Sequence, residues 1–219
     1  MNNIVKRYKD DLGNTIDAED NLTKMILIEQ AIDAANKINE IVSRSYAYYD
    51  CLTAILDFAR ESSNETILNR VDSILDEIKN KGAHARALSY LAVILATFNR
   101  GELAEETLIE AMNISSQVKD DFDRRDAFLD IATSAADIFF LLNKRKMLDT
   151  ALNLAEQLTI AQKVYLFGYI TTVLPEEEGI LLMNNAMELA DTINDPITQS
   201  KVYLELANLV TTFQKRLEM

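Results

Sequence analysis

Few side chains in this sequence are of the types that attack substrates or bind metals. It has one cysteine, Cys51, and one histidine, His84. A thiol nucleophile needs a nearby base, and His84 is not at helical spacing from Cys51. Cys51 is therefore predicted to be a small buried hydrophobic residue, and His84 to have a capping or surface role near a helix start.

Two clusters suggest chemistry at first sight. The first is a group of aspartates that lacks the glycine and the ligand spacing of a calcium loop. Because Arg124 and Arg125 lie among them, we expect capping and ion pairing instead of a metal site. This group consists of Asp120, Asp121, Asp123 and Asp126. The second is a tyrosine cluster, which would suit a small-molecule sensor or an enzyme: Tyr46, Tyr48 and Tyr49. Since carboxylates are the only titratable groups that support this role, the sequence predicts neither an enzyme nor a cofactor.

Composition narrows the class of protein further. Of 219 residues only 5 are glycine and 2 are proline, while 48% are hydrophobic. So few turn residues disfavour β-sandwiches, β-barrels and glycine-dependent nucleotide sites. The net charge of −13 disfavours a nucleic-acid partner, which needs a concentrated basic surface. Apolar runs are too short to cross a bilayer, so we expect a soluble cytoplasmic protein without a membrane partner.

An internal repeat organises the chain. Five segments align on one apolar anchor each, with successive anchors 40, 40, 40 and 35 residues apart. The anchors are Ala31, Val71, Ala111, Ala151 and Ala186. The residues three and seven positions after each anchor are also apolar, which is typical of an amphipathic helix. Every segment is followed by a second stripe, and these second stripes begin at Tyr48, Leu88, Phe128, Tyr165 and Tyr203.

Capping signals fall between the stripes. Ser62 with Glu65, Asn99 with Glu102, and Thr159 with Gln162 have the spacing of a capping box. Asp195 followed by Pro196 predicts an N-cap and a first helical residue, and Pro175 is expected to open its helix in the same way.

These signals predict about ten helices in one all-α domain over residues 20–214. An N-terminal segment, 1–19, and a tail, 215–219, flank it, and the segment is a candidate cap for one end. The predicted helices cover residues 20–40, 43–59, 64–80, 82–98, 102–119, 121–141, 143–158, 160–174, 176–193 and 195–214. Short loops make consecutive helices antiparallel neighbours, so the predicted architecture is a right-handed α-solenoid of stacked antiparallel helix hairpins.

The pattern in the central copies resembles the tetratricopeptide repeat. The matching positions are Leu88, Leu91, Ala92, Leu95, Ala104, Leu108 and Ala111, and most recur at Phe128, Ile131, Ala132, Ala135, Leu148 and Ala151. The period of 40 residues is longer than the family's 34, and the proline that closes the family's repeat is missing. The resemblance is therefore to a divergent, tetratricopeptide-like array, with HEAT-type repeats as the structural alternative.

The resemblance implies that the first helix of each pair lines a concave face. Side chains there that the core stripe does not use form the predicted partner-binding surface. They are Tyr46, Tyr49, Thr53, Arg86, Ser89, Val93, Asp126, Leu129, Thr133, Lys163, Leu166, Ile170, Lys201 and Leu204. Among them Leu129, Leu166, Ile170 and Leu204 are expected to be exposed apolar residues that a partner covers.

Basic residues recur at the starts of these first helices, where the helix dipole disfavours positive charge. They are Arg44, His84, Arg86, Arg124, Arg125, Lys163 and Lys201. We expect ion pairs with acidic residues near the end of the preceding helix; the alternative is a cationic ladder that docks an acidic partner. The function predicted is a non-enzymatic scaffold that binds a protein or peptide. The alternative is self-assembly, for instance as a homodimer, through apolar ends that include Ile26, Leu27, Val210 and Phe213.

Overall fold

The computed structural model describes residues 18–217, with side chains described for 21–216, and this part of the chain contains helices and no strands. The helices are α1 (Ala18–Ala35), α2 (Ile41–Glu61), α3 (Val71–Leu75), α4 (Lys81–Thr97), α5 (Gly101–Ser115), α6 (Asp121–Leu142), α7 (Arg145–Leu154), α8 (Ile160–Thr171), α9 (Glu176–Asp191) and α10 (Pro196–Leu217). A 3₁₀ helix at Glu65–Arg70 leads into α3, and another at Ala155–Gln157 extends α7.

The all-α class is confirmed, and each predicted helix has a counterpart. The main differences are at the ends. Helix α10 continues to Leu217, so part of the predicted tail is helical. In place of the predicted helix over 64–80 the structure has a 3₁₀ helix, Glu65–Arg70, followed directly by the short α3. The predicted N-terminal segment lies, through residue 17, outside the described residues.

The chain divides into two compact units within α4, Met1–Ala87 and Leu88–Met219. In the first unit, α2 packs against α1, the 3₁₀ helix and α3. In the second unit, α6 packs against α5, α7 and α8, and α8 packs against α9 and α10. The contacts of consecutive helices therefore follow the helix-hairpin pairing that the short loops predict for α6–α7 and α8–α9.

The repeat's stripe is buried in most copies but not in the first. Val71, Ala111, Ala151 and Ala186 are buried, whereas Ala31 is exposed. Helix α1 instead buries another face, through Met25, Ile28 and Ala35. The prediction that the anchor Ala31 lies in the core is therefore wrong. Helix α1 packs against α2, and it buries other residues. The position four residues after the anchor is buried in every copy: Ala35, Leu75, Ser115, Ala155 and Ala190.

The same type of turn precedes α2, α4 and α6, which begin 40 residues apart. Its first part is an N-cap side chain that accepts backbone N–H bonds. Glu40 accepts from Val42 and Ser43, and Asp120 accepts from Phe122 and Asp123. Asn80 accepts from Ala83 at 2.9 Å. These caps satisfy N–H groups that have no partner inside the helix.

The second part of the same turn is a basic side chain four residues after the N-cap, which donates a hydrogen bond to a backbone carbonyl. Arg44 donates to the Ile38 carbonyl at 3.4 Å, and Arg124 donates to the Val118 carbonyl at 3.1 Å. His84 Nδ1 lies 3.1 Å from the Ile78 carbonyl, which fits the predicted role near a helix start. These three basic groups therefore bind carbonyls three residues beyond the end of the preceding helix. That local role explains why they recur.

Acidic partners, the predicted compensation, are found for Lys163 and Arg124 of this series. Lys163 lies 2.5 Å from Glu156 at the end of the preceding helix, as predicted. Arg124 lies 2.5 Å from Asp121, which belongs to the same helix. The aspartate group thus acts through capping by Asp120 and ion pairing by Asp121, as expected.

The predicted caps have mixed outcomes. Thr159 and Gln162 form a complete capping box, and Asp195 accepts from the Thr198 N–H at 2.9 Å. Ser62 is wrong as an N-cap because it ends α2. Asn99 is also wrong: it adopts a left-handed conformation, with φ of 60°, in the turn after α4. Pro175 stands at the N-cap, one residue earlier than expected.

Glycine sets how closely the last helices approach. A Cβ atom on Gly168 would lie 2.8 Å from Leu206 Cδ2, and one on Gly179 would lie 2.8 Å from Phe213 Cζ. On Gly179 the added atom would also lie 3.3 Å from the Thr171 carbonyl oxygen. Helices α8, α9 and α10 therefore meet at distances that larger residues do not permit. Phe213, predicted to be an apolar end residue, is buried at this contact.

We expect Gly179→Ala to destabilise the protein by about 1–3 kcal/mol, because the new methyl group overpacks the contact with Phe213. Helix propensity alone would have the opposite effect, a gain of about 1 kcal/mol. Chemical denaturation of the wild type and of Gly179→Ala measures whether the free energy of unfolding falls or rises. Adding Phe213→Leu should cost less in the Gly179→Ala background than in the wild type. Gly101→Ala, at the first residue of α5, is the comparison variant: its Cβ would lie 3.1 Å from the end of the Leu142 side chain, a looser contact, so it should destabilise the protein less than Gly179→Ala does.

Candidate functional site

A cleft of about 480 Å³ lies between α6, α8 and α10 in the second unit. Its lining combines carboxylate, hydroxyl, amide, ammonium and apolar groups. The lining residues are Asp126, Leu129, Asp130 and Thr133 from α6, Ala161, Gln162 and Tyr165 from α8, and Thr198, Lys201, Val202 and Glu205 from α10. Each of these helices is the first of a predicted pair or the final single helix. The cleft therefore occupies the type of surface that the tetratricopeptide resemblance implies.

Helical spacing explains which side chains reach the cleft. On α6 they lie at relative positions 0, 3, 4 and 7 from Asp126, and on α10 at the same relative positions from Thr198. Residues at this spacing lie on one face of a helix. The two outer helices thus present a continuous face each, and α8 lies between them with Ala161 and Tyr165 one turn apart.

Side-chain hydrogen bonds join α8 to α6 on both sides of Tyr165. Gln162 Nε2 donates to Asp126 Oδ1 at 2.9 Å, and the Tyr169 hydroxyl donates to Asp137 Oδ1 at 2.6 Å. The rings of Tyr165 and Tyr169 stack with centroids 6.3 Å apart. The ring that lines the cleft is therefore held in place by its neighbours on α8 and by ties to α6.

Acidic groups on both outer helices act on Tyr165. Burial raises the pKa of its hydroxyl, and the charges of Glu205 on α10 and of Asp130 and Asp137 on α6 raise it further. Burial also raises the pKa of Tyr169, with an added contribution from Asp137. Both tyrosines are thus neutral hydrogen-bonding groups at physiological pH. The neighbouring carboxylates thus disfavour a negative charge on Tyr165.

Some residues of the predicted binding surface in the second unit lie close together in the structure. Asp126, Leu129, Thr133 and Lys201 line the cleft together. Leu204 is exposed to 66% but is not part of the lining. Lys163 lies outside the lining, where it pairs with Glu156 and its ammonium lies 5.6 Å from the Phe167 ring.

The exposure predicted for Leu166 and Ile170 is wrong, since both are completely buried. Tyr165, one residue before Leu166, faces the cleft instead. One residue turns a helix face by about 100°, so a small error in register exchanges a surface position for a core position. Ser89 and Val93, also predicted on the binding surface, are buried as well.

The predicted residues of the first unit form a separate group. The Arg86 guanidinium lies 5.2 Å from the centroid of the Tyr49 ring and 6.0 Å from that of Tyr46. The Thr53 hydroxyl donates to the Tyr49 carbonyl at 2.9 Å. Tyr48, the third tyrosine of the cluster, is buried and donates to Asn36 Oδ1. This arrangement favours a structural role for the tyrosines.

Cys51 is buried, as predicted for a small hydrophobic residue. Burial is also the main reason why the pKa of its thiol is raised. A raised thiol pKa disfavours the thiolate, which is the nucleophilic form.

Sequence reasoning did not assign several lining residues to the site, among them Asp130, Gln162, Tyr165 and Glu205. Two of these had a signal, because Asp130 is four residues after Asp126 and Glu205 is four residues after Lys201. The sequence places Tyr165 at the start of the second apolar stripe in the fourth repeat, and therefore predicts that it lies in the core. In the structure Tyr165 is half-buried and also lines the cleft.

A second cleft, of about 640 Å³, lies at the turns before α5 and α7. Gly101, Leu142 and Lys144 belong to its lining. The Lys144 ammonium pairs with Glu105. Asn99, Arg100 and Lys144 of its lining lie outside the helices, whereas every lining residue of the cleft between α6, α8 and α10 lies on a helix. Rigid elements make the latter the better candidate for a binding site.

Comparison of the chain with protein-family models, with curated proteins and with solved structures finds no match. The tetratricopeptide-like relationship therefore stays a prediction. None of the helices between residues 18 and 217 combines the length and the apolarity that crossing a lipid bilayer requires.

We expect Tyr169→Phe to cost about 1 kcal/mol at neutral pH, because it removes the hydrogen bond to Asp137. The raised pKa of Tyr169 means that the folded state binds its proton more tightly than the unfolded state. Its contribution is complete below the ordinary tyrosine pKa of about 10 and is lost as the pH rises above that value. Denaturation at neutral and alkaline pH should show a shallower alkaline decline for the variant. An unchanged decline would contradict this role. Tyr203→Phe is the comparison: its hydrogen bond to Asp191 also raises the tyrosine pKa, but it is exposed, so its removal should change the alkaline decline less.

Proposed function

We propose that the protein is a non-enzymatic interaction module that binds a segment of a partner protein in the cleft between α6, α8 and α10. The observation that carries this proposal is the lining, in which three packed helices present polar and apolar groups toward one space. A volume of about 480 Å³ is in the range of specific ligand sites. It suits a few side chains of a linear segment better than the surface of a folded domain.

The chemistry of the lining supports recognition. Gln162 and Thr133 supply donors and acceptors, while Leu129, Ala161 and Val202 supply apolar area. Interfaces of moderate size combine apolar contact with a small number of placed hydrogen bonds. Because α6 and α8 are tied together by hydrogen bonds, little ordering entropy should oppose binding.

The repeat architecture is part of the same proposal. In it the helix hairpins stack as in a right-handed tetratricopeptide-like α-solenoid, with HEAT-like stacking as the structural alternative. Support comes from the 40-residue period of the capped turns and from the series of contacts α6–α8–α10. A location in the cytoplasm stays a prediction of the sequence.

Site-specific photo-cross-linking in the source cells tests this function. A benzophenone amino acid at Thr133, inside the cleft, should cross-link to one discrete protein. The same amino acid at Asn153, an exposed position of α7, should not cross-link to that protein. Equal products from both positions, or no product from Thr133, would refute binding in the cleft.

Self-assembly is a second candidate function, favoured by exposed apolar side chains on the last two helices. On α9 Leu181 is 65% exposed and Ile180 47%; on α10 Ile197 is 69% exposed and Leu204 66%. Large apolar side chains that are this exposed and close in sequence are typical of surfaces that another protein covers. Leu27 on α1, predicted at the other end, is also exposed, at 59%.

If these residues mediate a homodimer, sedimentation equilibrium should show a mass that rises with concentration. Leu204→Lys would then raise the dimer dissociation constant about tenfold or more, since it places a charge in an apolar interface. Asn153→Lys, at an exposed position of α7 outside the exposed apolar surface of α9 and α10, is a control for the added charge. A monomeric mass at all concentrations would reject self-assembly.

A further inference from the structure

We propose that the cleft between α6, α8 and α10 selects a basic linear segment, with a lysine or arginine side chain lying along the Tyr165 ring between Asp130 and Glu205. This inference rests on the proposed function and adds the chemistry of the partner. It commits to a cationic segment of another protein as the occupant.

Charge complementarity is the first argument. Three carboxylates line the cleft, from Asp126, Asp130 and Glu205, against the single ammonium of Lys201. The carboxylates come from both outer helices, so a bound side chain would have negative charge on two sides. Hydrogen bonds from Thr198 and Ile197 lower the pKa of Asp195, and the charge of Lys201 also contributes to this shift.

The apolar part of the lining is the second argument. The Tyr165 ring lies between the two acidic walls, and Leu129, Ala161 and Val202 add aliphatic surface. Lysine and arginine have long aliphatic stems that cover such a surface while the charged end reaches carboxylates. A cation over a tyrosine ring contributes about 0.5–2 kcal/mol. An acidic segment would meet repulsion from both walls, and a purely apolar one would desolvate the carboxylates and supply no charge-assisted hydrogen bond in exchange.

The charge of the whole chain acts in the same direction. A net charge of −13 attracts a cationic segment over distances beyond direct contact and speeds its association. The association rate should therefore fall as salt is added, because exposed charges are screened. An acidic segment would show the opposite dependence.

Selection from a random peptide display library on the immobilised full-length chain tests the proposal. Enriched peptides should carry lysine or arginine with apolar neighbours. One such peptide, made with a tryptophan at its end, can be titrated by fluorescence, because the protein has no tryptophan. Its affinity should fall as salt increases.

Three variants locate the interaction. Glu205→Lys should weaken binding of that peptide about tenfold or more, since it reverses a charge at the cleft. Asp130→Asn, of nearly equal shape, should weaken it severalfold. Glu188→Lys makes the same charge change on the exposed surface of α9, outside the lining, and should leave affinity within about twofold. Circular dichroism of each variant checks that the helices are intact.

Enrichment of neutral or acidic peptides, or no enrichment, would overturn the inference. Basic peptides that bind Glu205→Lys as tightly as the wild type would overturn it as well. Cross-linking from Thr133 separates this failure from failure of the proposed function. If cross-links persist, the cleft binds a partner of different chemistry; if they are absent too, the interaction function itself is rejected.

Discussion

In the second unit, small residues allow several helices to cover one another's apolar stripes at close range. Ala127 and Ala132 on α6 are fully buried, and so are Ala186 and Ala190 on α9. At Gly179 even one methyl group would collide with its neighbour. Since short helices are marginal in water by themselves, this close contact is what stabilises them. Everything else in the second unit, the cleft included, depends on the helix separations that these residues allow.

Helix α10 shows how one element serves three environments. Val202, Leu206 and Phe213 are buried in the core. Thr198, Lys201 and Glu205 line the cleft beside that buried face. Ile197 and Leu204, on the side opposite Leu206 by helical periodicity, are exposed. The cleft and the exposed apolar surface thus use different side chains of one helix, and they adjoin at Lys201, which lies one turn from both Ile197 and Leu204.

Charged side chains at the helix starts have local structural roles, whereas those in the cleft include an excess of carboxylates. Basic groups at the starts of the helices are occupied locally, with Arg44 and Arg124 donating to the last carbonyls of the preceding segment. Carboxylates at the same turns, Glu40 and Asp120, cap the helix N–H groups. These local roles account for many of the charges outside the cleft. Within the cleft, carboxylates outnumber ammonium groups, and this local excess is the basis for selecting a cation.

Much of the fold could be predicted from the sequence. The anchor stripes and the 40-residue period predict the number, the order and the approximate bounds of the helices, because apolar periodicity is a local property of the chain. The caps at Thr159 and Asp195 were predicted for the same reason: a capping side chain contacts backbone only a few residues away. The general surface of the cleft was anticipated at Asp126, Leu129, Thr133 and Lys201.

Rotation of each helix about its own axis was decided only by tertiary packing. Leu166 and Ile170 were expected at the surface and are buried, while Tyr165 is in the cleft. Similarly, α1 buries Met25 and Ile28 and leaves Ala31 exposed. An apolar stripe defines a broad arc of a helix, and the neighbours that cover it choose which part of that arc is buried. The sequence by itself therefore determined which segments are helical and where they repeat, whereas contacts between helices decided which side chains meet in the cleft.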